Sequence, residues 1–368
     1  LSGLVGSEMC IRDSIVSMGW DLGGAHVKAA AYCGDGQAMQ VEQEACPLWL
    51  GLDRLDAALT HIKARFNPPP ECRHAVTMTG ELADCFKSRK DGVNALVAAM
   101  QRHLAPQQPR FFDGSAGLQA VASDGLYDWE RVASANWKAT GVWVSACLPN
   151  ALLVDVGSTT TDVIVIRQGE VDTRGYTDPE RLRYDELVYT GVVRTPLMAM
   201  TSRALLAGEW VPVMAEHFAT LADVYRLTGE LSESHDQAPT ADGGEKTPLE
   251  SARRLARALG HELEAASLDA WSMTARLLRD QHLTILQRAI ERQLSFSLLT
   301  RGTPLVGAGI GRFLVRDCAT RLNHPYRDIN ELFPSCITTS TFSAADCAPA
   351  AALACLAGRG WVSTYVPD

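Results

Sequence analysis

An α/β chain built from a repeated unit is the fold class this sequence predicts, on three observations. A strand–Asp–Gly-turn–strand pattern occurs twice, around Asp21 and around Asp155, about 134 residues apart. Helix-period segments feed short apolar strands, the alternation of α/β proteins. The length of 368 residues, against roughly 150 per domain, points to two domains. The expected division is a non-native leader over 1–14, an N-terminal domain over 15–150, and a C-terminal domain over 151–368. A helical insertion is expected at about 195–300.

The central stretch is Leu152–Ile166, LLVDVGSTTTDVIVI. Two β-branched runs flank a small-residue turn, which reads as a buried hairpin. The turn holds one glycine, Gly157, and four hydroxyls, Ser158, Thr159, Thr160 and Thr161, between Asp155 and Asp162. Gly157 lets the backbone approach a ligand closely. The hydroxyls and turn N–H groups are donors suited to phosphate oxygens. Asp155, at a strand end, is placed to hold a metal's water or to take a proton. A polar hairpin turn facing solvent would look similar, but the second copy argues against that reading. The first copy, VSMGWDLGGAHVK over 16–28, runs a strand to Asp21, turns at Gly23-Gly24 and returns through Lys28. A lysine there can be aimed back at the turn as a point-charge phosphate binder.

The remaining elements follow in order. Leu52–Phe66 has a helix-period apolar face, stopped by Pro68-Pro69-Pro70. Ala75–Met78 reads as a strand ending in the turn Thr79-Gly80-Glu81, with a helical stretch over Leu82–Phe86. Asp91-Gly92 is expected to break it before a helix over Val93–Leu104, and Phe111–Val121 reads as a strand pair. Trp129–Cys147 is expected as one long amphipathic helix. Thr190–Thr195 reads as a loop carrying a cation, Arg194, able to pair with a carboxylate or clamp a phosphate. Ser232–Pro248 is polar and rich in Gly and Pro, the expected long mobile loop or lid. Helices are expected over Leu249–Leu263 and Leu268–Leu294. Leu305-Val306 then runs into Gly307-Ala308-Gly309-Ile310-Gly311 and a helix over Phe313–Leu322. Strand, Gly-rich turn and helix offer N–H groups to an anion. The spacing is not G-x-G-x-x-G, which excludes a nicotinamide-dinucleotide reading. An Ala-rich helix closes the chain over Asp346–Gly358.

Composition narrows the classes of function. Hydrophobic residues make up 46% and charged residues 21%, values of an ordinary globular protein. The net charge of -9 argues against nucleic acid or an anionic membrane as partner. No apolar run approaches the ~18–20 residues of a membrane-spanning helix. Ten cysteines are scattered without a C-x-x-C pair, giving neither a zinc signature nor a disulfide framework. Reduced thiols in a cytoplasmic protein are the expectation. Leu1–Ser14 has neither helical period nor signal-peptide architecture. It resembles translated adapter sequence, so the native start is expected near Ile15–Met18, and Cys10 is given no role.

The three Gly turns, at Asp21–Lys28, Asp155–Asp162 and Gly307–Gly311, resemble the two phosphate loops and the nucleotide loop of the sugar kinase and actin superfamily. The resemblance implies two ribonuclease-H-like domains facing across a cleft. The DVGSTTTDV form is closest to the hydantoinase and oxoprolinase branch, although Ser158 stands where that branch usually has a second glycine. Further stretches resemble the tetrahydromethanopterin-linked one-carbon transfer pathway family of methanofuran synthases. These are Met78–Asp84, Ala135–Trp137, Tyr189–Leu197, Asp223–Arg226, and Thr240–Gly243 running into Arg253–Arg257. The resemblance covers Met18 to the C-terminus.

It implies condensation of an aminomethylfuran-methyl diphosphate with γ-glutamyltyramine, forming an ether and releasing diphosphate. Such chemistry calls for a phosphate cradle, here Gly23, Gly24, Lys28, Gly157, Ser158, Thr159, Thr160, Gly307, Gly309 and Arg194. It calls for Mg2+, expected on Asp21 and Asp155, and for a base toward the phenol, with Asp155, Asp162 and Glu81 as candidates. The same loops would serve an ATP-dependent kinase or amide hydrolase, or a non-catalytic nucleotide-switched binder. In the transferase reading ATP is not required. A homo-oligomer is left open.

Overall fold

The computed structural model describes residues 15–34, 38–121, 127–337 and 340–360. The expectations for Leu1–Ser14 lie outside these residues. The strands of the first half are β1 (Ile15–Leu22), β2 (His26–Cys33), β3 (Ala38–Ala45), β4 (Arg73–Met78), β5 (Arg110–Asp113) and β6 (Gly117–Ala120). Then come β7 (Ala151–Val156), β8 (Thr161–Arg167), β9 (Glu170–Asp172), β10 (Leu187–Val188), β11 (Arg203–Leu206) and β12 (Glu209–Pro212). The last are β13 (Leu305–Ala308), β14 (Tyr326–Asp328) and β15 (Ser335–Cys336).

The chain divides into two compact units. The first holds the residues up to Pro149, Gln168–Val171 and those from Asp328 onward; the second holds Asn150–Arg167 and Asp172–Arg327. In the first unit the sheet order is β15-β3-β2-β1-β4-β5-β6. β1 pairs antiparallel with β2, and β2 with β3, while β4 runs parallel to β1 and β5 parallel to β4. In the second unit the order is β10-β8-β7-β13-β14, with β9 beside β8. β7 pairs antiparallel with β8 and parallel with β13. Each unit thus has a central antiparallel hairpin whose first strand is flanked on its other side by a parallel strand. Both carry the ribonuclease-H-like plan.

The C-terminal segment departs from the linear division expected from the sequence. The helix Ala348–Gly358 belongs to the first unit, packed on β1. A Cβ on Gly19 would stand 1.9 Å from the Ala350 carbonyl oxygen, so strand and helix backbones touch. Only alanine-sized side chains and a glycine permit that approach. Three local expectations also change. The helix Arg89–Leu104 starts before Asp91-Gly92 instead of after it. Ser88 caps it, accepting from the Asp91 N–H at 3.1 Å. Gly92 is a packing glycine, because a Cβ there would lie 2.4 Å from the Glu81 carbonyl oxygen. The stretch Leu82–Phe86 is no helix beyond the single turn Gly80–Leu82. Trp129–Cys147 splits into Trp129–Val132 and Asn136–Cys147, separated at Ser134 with φ of 49°.

In the second unit, residues 195–300 hold the β11–β12 hairpin and the helices Leu221–Thr228, Pro248–Ala258 and Leu268–Ser297. Buried Leu221, Val224, Leu255, Trp271, Leu278 and Leu286 join them to one core. The Ser232–Pro248 segment between these helices is tied down by ion pairs. Arg254, fully buried, donates to Asp223 at 2.8 Å, to Asp242 at 3.1 Å and to the Glu245 carbonyl at 3.1 Å. Arg226 pairs with Asp236, which also faces Lys246 at 3.6 Å. Low apolar content suggested mobility, but buried charge pairs hold this segment in place.

Candidate phosphate-binding turns

The two hairpin turns have the same internal geometry. The Gly23 N–H donates to the His26 carbonyl at 2.9 Å, and the Gly157 N–H donates to the Thr160 carbonyl at 2.9 Å. In each hairpin the strand-end carboxylate faces the residue seven positions on. Asp21 pairs across the ladder with Lys28, and Asp155 with Asp162. Directly opposed residues share one face of the sheet.

In the first unit the Gly23-Gly24 turn is braced from two sides. The Thr79 N–H donates to the Leu22 carbonyl at 2.9 Å, and the Leu48 N–H to the Gly24 carbonyl at 3.0 Å. A Cβ on Gly24 would meet nothing within 4 Å, so that face of the turn is open. Asp21 is buried. The Lys28 ammonium donates to the Asp346 carbonyl at 2.7 Å, so one of its three donors is directed to the turn before the C-terminal helix. Glu81 is fully buried at the foot of the helix Arg89–Leu104. Its Oε1 accepts from Ser134 at 2.7 Å and from Arg89 at 3.2 Å. That setting gives Glu81 a bracing role between Ser134 and the helix Arg89–Leu104.

In the second unit three loops meet along the backbone of Val156, Gly157 and Ser158. The Val192 N–H donates to the Gly157 carbonyl at 3.0 Å, and the Arg194 N–H to the Ser158 carbonyl at 2.9 Å. The Gly311 N–H donates to the Val156 carbonyl at 2.8 Å. Two glycines make this assembly possible. A Cβ on Gly191 would sit 2.5 Å from the Gly157 carbonyl oxygen and 2.6 Å from the Thr159 nitrogen. A Cβ on Gly309, whose φ is +76°, would sit 2.4 Å from Asp155 Oδ1. The structure therefore brings together Asp155, Gly157, Ser158, Thr159, Thr160 and Gly309. Ser158 is not among the positive-φ residues, so the serine fits where the branch usually has glycine. Arg194 is exposed and joins the site through its backbone. Gly307 lies behind it, where a Cβ would stand 2.8 Å from the Tyr326 ring.

Asp162 has a different setting from Asp155. Arg181, itself buried, pairs with it at 2.9 Å and also donates to the Glu186 carbonyl at 2.9 Å. Burial pushes the Asp162 carboxyl above the usual range, and Arg181 opposes that shift. Arg181 was not legible as a partner, since it lies 19 positions along the chain. Behind the Thr190–Thr195 loop stand His282 and Tyr225, both buried. Burial, with Arg279 nearby, lowers the His282 ring to about 4. Burial raises the Tyr225 hydroxyl. Their trace in the sequence is faint, because the buried faces of their helices hold other polar residues as well, Asp223 on one and Thr274, Gln293 and Ser297 on the other.

Among the described residues no three or more His, Cys, Asp or Glu side chains gather as a metal cluster. Asp155 with its turn donors suits a cation held mainly through water and phosphate oxygens, as Mg2+ accepts. No described helix is long and apolar enough to cross a membrane.

Comparison with known proteins fits this geometry. A curated protein of Methanocaldococcus jannaschii, "(4-{4-[2-(gamma-L-glutamylamino)ethyl]phenoxymethyl}furan-2-yl)methanamine synthase", is 27% identical over 310 residues, covering 84% of this chain and 90% of that one. A protein of the same name from Methanococcus vannielii is 34% identical over 120 residues, 33% of this chain and 54% of that one. Among solved structures, the nucleotide-free acetone carboxylase matches with a TM-score of 0.58 at 11% identity, covering 93% of this chain and 70% of that one. That likeness bears on the fold, the two-domain actin and sugar-kinase type. The family model described as Hydantoinase/oxoprolinase matches residues 73–351, and on that match the chain belongs to the hydantoinase/oxoprolinase family.

Proposed function

We propose that this protein is a transferase of methanofuran-type cofactor biosynthesis. It joins an aminomethylfuran-methyl diphosphate to γ-glutamyltyramine and releases diphosphate. The observation that carries the reading is the match to the named synthase over 84% of this chain and 90% of the relative. The turn geometry supports it, because the Ser158, Thr159 and Thr160 donors, set beside Asp155 and Gly309, are of the kind that suits phosphate oxygens.

In this reading the phenol oxygen attacks the furfuryl carbon. The new C–O bond forms as the bond to diphosphate breaks, and the phenol proton passes to a base. The backbone donors of the turn take up charge as it develops on the leaving group, which is where preorganised dipoles lower a barrier. Asp155 would hold Mg2+ through water, with Asp21 the corresponding carboxylate of the first unit. The bound cation would offset the charge of the diphosphate. Of the three candidate bases, Asp155 is preferred, because it stands at the strand end beside Gly309 and the donor-rich turn. The substrates are small molecules, and neither nucleic acid nor membrane has a part.

The test is a product assay by mass spectrometry with both precursors, with and without ATP. The ether product with diphosphate release and no nucleotide is the expected result. Product formed only with ATP consumption would replace this reading by the kinase or hydrolase alternative.

A further inference from the structure

A chain of buried hydrogen bonds runs toward the second turn from a place with no assigned role. The Tyr225 hydroxyl lies 2.6 Å from His282 Nδ1, and His282 Nε2 lies 3.0 Å from the Thr190 hydroxyl. The Thr190 hydroxyl lies 3.3 Å from that of Thr195. Thr195 accepts from the Gly191 N–H at 2.9 Å and donates to the Gly191 carbonyl at 3.1 Å. All four side chains are buried.

The donor directions close in one way only. The Thr195 proton is given to the Gly191 carbonyl, so Thr195 accepts from Thr190. Thr190 then accepts from the ring N–H at Nε2. The neutral ring therefore presents a bare Nδ1, which accepts from Tyr225. Every donor and acceptor in the row is used, which makes the row rigid in a low-dielectric interior. It ends on Gly191, the residue seated against the backbone of Gly157, Ser158 and Thr159. Thr190 adds a second hold, since its carbonyl accepts from the Thr161 hydroxyl at 2.8 Å.

We propose that Tyr225, His282, Thr190 and Thr195 form a positioning relay that fixes the Gly157–Thr160 turn in its ligand-ready shape. The relay touches no substrate. It rests on the reading of this turn as the phosphate cradle, and it adds the reason for conserving turn shape without ligand. A helix of the 195–300 region thereby sets the geometry of a turn in the central sheet.

The test uses the full chain and conservative variants. Thr195→Val keeps shape and removes the hydroxyl, Thr195→Ser restores it, and Tyr225→Phe deletes only the far end of the row. Two readouts are taken: amide hydrogen exchange over residues 157–162, and calorimetric binding of magnesium pyrophosphate. In Thr195→Val the 157–162 segment should exchange about ten-fold faster and pyrophosphate should bind about ten-fold more weakly, the size of one net hydrogen bond. Tyr225→Phe should move both in the same direction by less, and Thr195→Ser should restore both. Unchanged exchange over 157–162 in Thr195→Val and Tyr225→Phe overturns the relay. So does a Thr195→Ser variant as impaired as Thr195→Val. If the parent protein binds no pyrophosphate while the exchange changes appear, the relay stands and the phosphate reading of the turn falls.

Discussion

Two carboxylates at corresponding strand ends show how much a single residue's surroundings decide. Asp155 and Asp162 face each other across β7 and β8, and Asp162 is bound to the buried guanidinium of Arg181. Asp155 stands beside Gly309 and the donor-rich turn. Asp155→Asn preserves shape and hydrogen bonding but removes the charge. It should fold as the parent does and lose turnover by roughly 10²-fold, the scale of losing a positioned base or preorganised charge. Added magnesium should recover part of the rate if the residue holds the cation. A ring-fluorinated, more acidic phenol should recover it instead if the residue is the base. Near-normal turnover would remove Asp155 from the mechanism. Lys28 is a second case. Its bond to the Asp346 carbonyl adds a structural role to the phosphate role read from the sequence. Lys28→Ala should weaken pyrophosphate binding and also lower stability by about 1.5–3 kcal/mol, the range for a charged hydrogen bond. Binding loss with an unchanged unfolding midpoint would show that the Asp346 contact is idle.

Among the elements, the hairpins and their Gly turns were legible because strand, Asp, Gly and strand occupy consecutive positions. Turn chemistry is local, and so is its signal. The Gly307–Gly311 turn was legible for the same reason. Elements that depend on distant contacts were not. Gly92 looked like a helix breaker, and only the nearby Glu81 carbonyl reveals it as a packing site. The polar Ser232–Pro248 stretch looked mobile because its charges have partners on two separate helices. Arg254 is the test of that segment. It is fully buried against Asp223, which also pairs with Arg226 at 3.2 Å, so its removal strips a buried carboxylate of one of its two guanidinium partners. Arg254→Ala should destabilise the protein by roughly 3–5 kcal/mol and make residues 232–248 readily cleaved by protease. Fast cleavage there in the parent protein would refute the pinning.

At the scale of the whole chain, the repeat of one α/β plan was legible, while the return of the C-terminal helix to the first unit was not. Nothing in its Ala-rich composition names the strand it packs on; Gly19 does so only once the backbones meet. Each unit also buries one neutral histidine. His74 in the first unit accepts from the Trp20 ring N–H at 3.2 Å, and burial, with Lys63, lowers it to about 4. His282 in the second unit is lowered to about 4 as well. The unfolded chain binds protons at both sites near pH 6.5, the folded chain only near 4. Their stabilising contribution is therefore complete above about pH 6.5 and is lost as the pH falls toward 4, at about 1.4 kcal/mol per pH unit for each ring. Asp162, whose carboxyl is raised, acts in the opposite sense and offsets part of the slope below its own folded value. Denaturant midpoints should drop steeply between pH 6.5 and 4.5. His74→Gln and His282→Gln, combined, should flatten that drop, since glutamine can hydrogen-bond but cannot titrate. An equally steep drop in the double variant would mean that the acid sensitivity of both units lies in their carboxylates.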